Sequence, residues 1–184
     1  MTNQSLSATS HLCLSIQKGQ TICHQGEVGE YWYEVTKGFI MLCHHFPDGR
    51  RQVSRFAGPG DAFGFEVGIR QISAEALTDG MVIRHPSNST PQQAQEGFSF
   101  HSLAPHPAMW HAIESVEETM RLLSYTGACE RLTAFLLSFS RYGDDGNLID
   151  LPMSRRDLAD HLGLAIHTIS RTISQLCKRG YIAL

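Results

Sequence analysis

Residues 151–181, LPMSRRDLADHLGLAIHTISRTISQLCKRGY, carry the pattern of two short helices joined by a tight turn. Ser154 has the hydroxyl to cap the first helix, because it can accept from a free N–H of the first turn. Asp157, three residues on, completes a weak capping box, with Asp in place of the more usual Glu. Leu158, Ala159 and Leu162 give an apolar face, and Gly163 follows where a left-handed residue would end the helix. A second helix is predicted from about residue 166 to about residue 178. Its Ile166, Ile169, Ile173 and Leu176 recur at helical spacing and would pack on the first helix, and Gly180 would stop it. His167, Ser170, Arg171 and Gln175 are left outward, one polar stripe at i, i+3, i+4 and i+8. That is the geometry of a recognition helix, whose first turns enter the major groove and offer hydrogen-bonding groups to base edges.

An ordinary helical hairpin with a solvated face would show the same pattern, and local charge favours the nucleic-acid reading. Residues 151–184 hold five Lys or Arg and two Asp, in a chain of net charge −3. A basic element on an acidic chain suits phosphate contact, so any DNA affinity must come from a local patch and from dimer symmetry. With 184 residues and 42% hydrophobic content, the chain fits one large domain or two small ones. No run approaches the roughly 18 apolar residues that a membrane span needs. The N-terminal MTNQSLSATSHLCLSIQKG lacks the basic and apolar regions of a signal peptide. A cytoplasmic location with no membrane partner is the expectation.

The stretch LPMSRRDLADHLGLAIHTISRTISQLCKRG resembles the helix-turn-helix of the Crp/Fnr family of bacterial transcription regulators, and within it the FixK-like branch. The resemblance implies that His167, Ser170, Arg171 and Gln175 bind DNA, with Ser154 and Arg155 at the start of the first helix. Arg171 would reach guanine O6 and N7, or a phosphate, a pairing its fork of donors suits. Two positions depart from the family. His167 stands where a Glu usually reads a cytosine amino group; His is shorter and can donate as well as accept, which leaves the usual TTGA-type half-site open. Ala165 stands where a Thr usually caps the recognition helix, a loss of about 1 kcal/mol of helix stability.

From residue 18 to about residue 86 the texture is short strands and turns, with runs YWYEV, FIMLCHHF, RQVSRFA and MVIRH punctuated by glycines. Pro47-Asp48-Gly49 is a hairpin signal, since Gly accepts positive φ and Asp can cap the turn. Evenly spaced short strands predict a small β-barrel or roll. This half resembles the family's cupin-like, cyclic-nucleotide-binding-type sensor roll. The matching residues are Gly19…Ile22…Gly26-Glu27, Tyr33…Val35…Gly38, Pro47-Asp48-Gly49-Arg50-Arg51 and Gly58-Pro59-Gly60-Asp61…Gly64. Members that bind a cyclic nucleotide carry an Arg-Ser pair for its phosphate. Ile72-Ser73 stand there instead, and without the guanidinium that phosphate is poorly compensated, so cyclic-nucleotide binding is not expected. Glu66 and Arg70 read as a surface salt-bridged pair.

Cys13, Cys23, Cys43, Cys129 and Cys177 include no CxxC, and an iron–sulfur cluster needs thiolates converging within a few ångströms. They read as buried or incidental thiols, with a redox role for Cys177 as the lesser alternative. Among ten histidines, His44 and His45 are adjacent and would point to opposite faces of a strand. No metal or other cofactor is assigned.

Residues 88–107 read as an irregular connector, with a short helix around 91–97. Residues 108–126 read as a helix on which Met109, Ile113, Val116, Met120 and Leu123 are spaced 4, 3, 4, 3, an a/d seam over about two and a half heptads. By resemblance this is the family's dimerisation helix, with those five residues at the dimer interface. A further helix after Gly127 would bury Leu132, Phe135, Leu136 and Phe139, followed by a turn at 143–146 and a short strand at 148–151.

The expected fold is therefore α+β. A flexible lead-in (1–17) precedes the β-roll (18–87), the connector (88–107) and the dimerisation helix (108–126). A winged-helix-type helix-turn-helix domain (127–184) follows, expected to lack the basic two-stranded wing that the family carries next. The expected function is a homodimeric, sequence-specific transcription regulator, not an enzyme, acting on a palindromic site. By resemblance it would control low-oxygen or nitrogen-related genes, and its partners would be double-stranded DNA, a second copy of the chain and RNA polymerase. The alternative is a cupin-like small-ligand or haem sensor with impaired DNA binding.

Overall fold

The computed structural model describes residues 12–66, 68–87, 107–143 and 150–183. Eight strands come first: β1 (Leu12–Ile16), β2 (Thr21–Cys23), β3 (Tyr31–Lys37), β4 (Ile40–His45), β5 (Arg51–Ala57), β6 (Ala62–Phe63), β7 (Ser73–Ala76) and β8 (Gly80–Pro86). Four α-helices follow: α1 (Pro107–Ser124), α2 (Ala128–Phe139), α3 (Arg155–Leu162) and α4 (Ile166–Lys178). A short 3-10 turn, Ser140–Tyr142, extends α2. The strands form two four-stranded sheets, in the orders β1-β8-β3-β6 and β2-β7-β4-β5, with antiparallel neighbours.

The Pro47-Asp48-Gly49 turn joins β4 to β5, with Gly49 at φ 82° and the Asp48 carboxylate accepting from the Arg50 N–H at 3.0 Å. Between the sheets lies one core, with Val35, Ile40, Leu42, Phe63, Ala74 and Val82 among its residues. Successive residues of a strand point to opposite faces. Ile40 and Leu42 therefore enter the roll, while Met41 and Cys43 point outward into a second core shared with the helices. The unbroken apolar run IMLC is the sign of a strand covered on both faces.

That second core joins Met41, Val53 and Phe56 of the roll to Leu132, Phe135 and Phe139 of α2 and to Leu158, Leu162, Ile169 and Ile173 of α3 and α4. The residues expected on the buried face of α2 are there, Leu136 partly buried. Where α2 ends, its last turn comes so close to the roll that Gly58 touches it. A Cβ at Gly58 would lie 2.6 Å from the Tyr142 ring and 2.8 Å from the Phe39 ring. Tyr142 also donates its hydroxyl to Asp61.

Three expectations need correction. The roll begins at β1, inside the segment expected to be a loose lead-in, and pairs with β8 from Leu12↔Arg84 to Ile16↔Gly80. Leu12, Leu14 and Ile16 alternate, but the strand is short and its partner lies far along the chain. Ile166 is 48% exposed rather than packed. It sits in the first turn of α4 on the flank of the apolar stripe, and Thr172, on the other flank, is buried in its place. Arg70 pairs with Glu66 at 3.4 Å, yet it is buried rather than on the surface, donating to the carbonyl of Tyr31 at 2.5 Å. The helix expected at 91–97, most of the connector, the greater part of the 143–146 turn and the strand expected at 148–151, apart from Asp150 and Leu151, lie outside the described residues.

Candidate nucleic-acid interface

Ser154 is the N-cap of α3. Its hydroxyl oxygen accepts from the Asp157 N–H at 3.1 Å, and Asp157 Oδ2 accepts from the Ser154 N–H at 2.9 Å and from its hydroxyl at 2.6 Å. The capping box is reciprocal, as the sequence suggested. Gly163 closes the helix at φ 63°, ψ 39°, a conformation that a side chain with a Cβ disfavours. Ala165 then caps α4 with its backbone alone: its carbonyl accepts from Thr168 and Ile169, and no side chain satisfies the first-turn donors.

Ile169, Thr172, Ile173 and Leu176 form the buried face of α4. Thr172 meets the cost of burying a hydroxyl by donating to the Thr168 carbonyl at 2.8 Å. On the opposite face, His167, Arg171 and Gln175 are exposed and Ser170 is half-exposed. Among the described residues, the side chains of His167, Arg171 and Gln175 make no hydrogen bond or ion pair, whereas the Ser170 hydroxyl donates to the Ile166 carbonyl at 3.1 Å. Ser154, Arg155 and Arg156 are exposed at the start of α3. The six candidate residues thus lie on the outer side of α3 with its cap and of α4, five of them exposed and Ser170 half-exposed. Together they offer cations, amide and imidazole groups, the set that meets phosphates and base edges.

The carboxylates beside this surface are handled by a residue from the roll. Arg51, on β5, reaches Asp157 Oδ1 at 2.5 Å and Asp160 Oδ2 at 2.8 Å from Nη2, and Asp160 Oδ2 at 3.1 Å from Nε. Burial pushes the Asp157 carboxyl up, but the hydrogen bonds from Ser154 and Arg51 outweigh it and hold the group below its ordinary 3.8. One turn further, His161 is buried between the rings of Phe56 and Phe135, with Nδ1 3.1 Å from the Val53 carbonyl. A carbonyl can only accept, so Nδ1 carries the hydrogen. Burial disfavours the charged ring and lowers the His161 pKa below 6.5, despite that bond. Burial and the neighbouring Asp61 push Tyr142, at the end of α2, up to about 12. Arg51 lies in a recognisable hairpin, but nothing local in the sequence points it at α3.

Among the described residues, nothing covers the middle of the α1 stripe. Ile113, Val116 and Met120 are 43%, 51% and 68% exposed, and Met109 and Leu123 are half-buried. The opposite face is anchored to the roll. Leu122 enters the second core, Ser115 accepts from the buried Arg55 at 2.5 Å, and the Thr119 hydroxyl lies 3.4 Å from the Ser54 carbonyl. Of the five candidate interface residues, Ile113, Val116 and Met120 therefore lie along the solvent side of the helix, with Met109 and Leu123 half-buried at its two ends.

Among the described residues no group of three or more His, Cys, Asp or Glu could hold a metal ion. Cys23 and Cys43 are buried, and burial pushes both thiols up. No helix of the described residues is long and apolar enough to cross a membrane.

Comparison with known proteins agrees with this division. A cyclic nucleotide-binding domain model matches residues 13–96, and a Crp-like helix-turn-helix domain model matches residues 130–184. The nitrogen fixation regulation protein FixK of Rhizobium meliloti is 32% identical over 94% of this chain and 79% of its own length. FixK of Azorhizobium caulinodans is 35% identical over 86% of this chain and 66% of its own. The solved structure of FixK2 from Bradyrhizobium japonicum superposes with a TM-score of 0.81 at 34% identity, over 95% of this chain and 88% of that one.

Proposed function

The chain belongs to the Crp/Fnr family of transcription regulators and to its FixK-like branch, and we propose that it acts as a cytoplasmic homodimer on a palindromic DNA site. It is a DNA-binding regulator of transcription rather than an enzyme. The observation that carries the reading is the α4 face on which His167, Ser170, Arg171 and Gln175 stand opposite a buried apolar face. Arg171 reads guanine or grips a phosphate, and His167 and Gln175 meet neighbouring base edges. Ser154 and Arg155 contact the backbone at the start of α3, where the helix dipole also favours an anion. Two copies joined along the α1 stripe would set two recognition helices in successive major grooves. Burying Met109, Ile113, Val116, Met120 and Leu123 against their symmetry mates would remove the exposed apolar stripe from water.

The relatives' names supply the regulon: nitrogen fixation for FixK, and fumarate and nitrate reduction for a Salmonella typhi regulator 30% identical over 91% of this chain and 70% of its own length. Low-oxygen or nitrogen-related genes are the proposed targets, with RNA polymerase as the protein partner. The roll serves as a scaffold for α1 and α3. The reading is tested by titrating the purified chain against a TTGA…TCAA palindrome and a scrambled duplex at two salt concentrations. Selective binding that weakens steeply with salt is expected. Equal, weak binding to both duplexes would refute it.

A further inference from the structure

Asp157 has two employers. Its Oδ2 atom holds the cap of α3 through Ser154, and its Oδ1 atom holds Arg51 of the roll. Asp160, one turn along the same helix, takes the rest of the guanidinium. If α3 shifted against β5, either the cap or the ion pair would have to break. The pair is partly shielded, with side-chain exposures of 24% for Arg51 and 12% for Asp157, so it is worth more than a solvated surface contact.

The same contact settles the charge of the surface. Asp157 and Asp160 are the two carboxylates of residues 151–184 counted above against five Lys or Arg. Arg51 comes from the other half of the chain, more than a hundred residues away in sequence, and its single positive charge pairs with both, so the three groups together keep one net negative charge instead of two. What α3 and α4 present outward is then cationic: Arg155, Arg156, Arg171, Lys178 and Arg179 are all exposed. Without Arg51, two carboxylates would stand uncompensated beside the cap that is to meet a phosphate.

We propose that Arg51 is a positioning residue for DNA binding, fixing the N-terminus of α3 against the roll and halving the carboxylate charge that would repel the DNA backbone. This rests on the reading that Ser154 and Arg155 face DNA. Arg51 itself is placed against α3, and its effect is carried by the cap and by charge.

The test compares the full chain with its Arg51→Ala and Arg51→Lys variants in two measurements. The first is affinity for the palindrome across a salt series. Arg51→Ala should weaken selective binding about tenfold, the scale of a lost charge-assisted hydrogen bond. The slope of log affinity against log salt should fall by about one, because the loosened α3 N-terminus would lose the phosphate contact proposed for Arg155. Arg51→Lys, which keeps the charge without the fork, should restore the slope and recover part of the affinity. A merely structural role would lower thermal stability and the active fraction while leaving the slope unchanged, and that result overturns the proposal.

The second measurement is hydrogen exchange at the amides of Asp157 and Leu158, which donate to Ser154 at 3.1 Å and 3.0 Å. It needs no DNA. Arg51→Ala should make both exchange about tenfold faster; unchanged exchange overturns the proposal. Should the unmodified chain select no palindrome, the functional reading fails by itself, and the exchange rates still decide whether Arg51 holds the α3 cap.

Discussion

Helices α1 and α4 carry apolar residues at helical spacing, and the fates of the two stripes are opposite. On α4 the stripe of Ile169, Ile173 and Leu176 is buried and the polar side faces out. On α1 the stripe of Ile113, Val116 and Met120 faces out, and a more polar side, with Ser115 and Thr119, is held against the roll. Spacing alone cannot separate these cases, because it says that a face is apolar and not what covers it. The difference teaches where each helix finds its partner. The α4 helix has found its apolar partner within the chain and leaves a polar face for another molecule. The α1 helix holds the chain with Ser115, Thr119 and Leu122 and leaves an apolar stripe outward beside its charged residues.

The largest expected effect comes from charging the α1 stripe. Val116→Asp combined with Met120→Asp should raise the dimer dissociation constant by about a thousandfold, since each dimer would bury uncompensated carboxylates. Sedimentation should show a monomer with an unchanged far-UV spectrum, because both side chains are solvated in the single chain. An unaltered dimer would move the interface off this helix. Truncating the buried stripe of α4 should instead attack folding. Ile169 is fully buried, and Ile169→Ala should cost about 3 kcal/mol in urea unfolding. If it cost as little as an exposed substitution, the assignment of faces on α4 would be wrong.

On the polar side of α4, Arg171→Ala should weaken palindrome binding by about 1–3 kcal/mol and leave urea stability unchanged. His167→Glu should shift base preference at one position of each half-site, read by binding to a panel of substituted duplexes.

The seam between the roll and α3 predicts a pH effect of definite sign. The His161 pKa is lowered on folding, so the unfolded chain takes up the proton first. Its stabilising contribution is complete above pH 6.5 and is lost as pH falls from 6.5 toward the lowered value. Urea midpoints at pH 7.5, 6.5 and 5.5 should fall in that order. His161→Gln, whose amide can still donate to the Val53 carbonyl, should flatten the decline. The smallest change expected is a gain: Ala165→Thr supplies the missing α4 cap and should add about 1 kcal/mol or less.

The helix-turn-helix was legible because every signal in it is local. Ser154 and Asp157 stand three residues apart, Gly163 ends the helix they start, and the α4 stripe repeats within a few turns. The hairpin at Pro47-Asp48-Gly49 was legible for the same reason. What escaped depends on residues far apart in the chain. Strand β1 gains its meaning only beside β8, and Arg51 only beside α3, with separations of 106 and 109 residues to Asp157 and Asp160. Ile166 escaped for a subtler reason: periodicity marks a face, but the end of a helix can run past what that face packs on. The candidate interface was read from the α4 stripe without its electrostatic support, since no spacing rule links a hairpin arginine to a helix cap.

Strand β4 carries a consequence for how this sequence can change over time. An ordinary sheet strand has one dry side, so every second position is free to drift. In β4 the four residues Ile40, Met41, Leu42 and Cys43 are all buried, two in the roll and two in the core it shares with the helices. Substitutions there have no neutral direction, and a change in size at Met41 or Cys43 would disturb the core shared with the helices as well as the sheet. Edge strand β1, with Leu12, Cys13 and Ser15 exposed, offers the opposite latitude. Random mutagenesis scored for regulation should find its tolerated changes crowded onto β1 and nearly absent from residues 40–43.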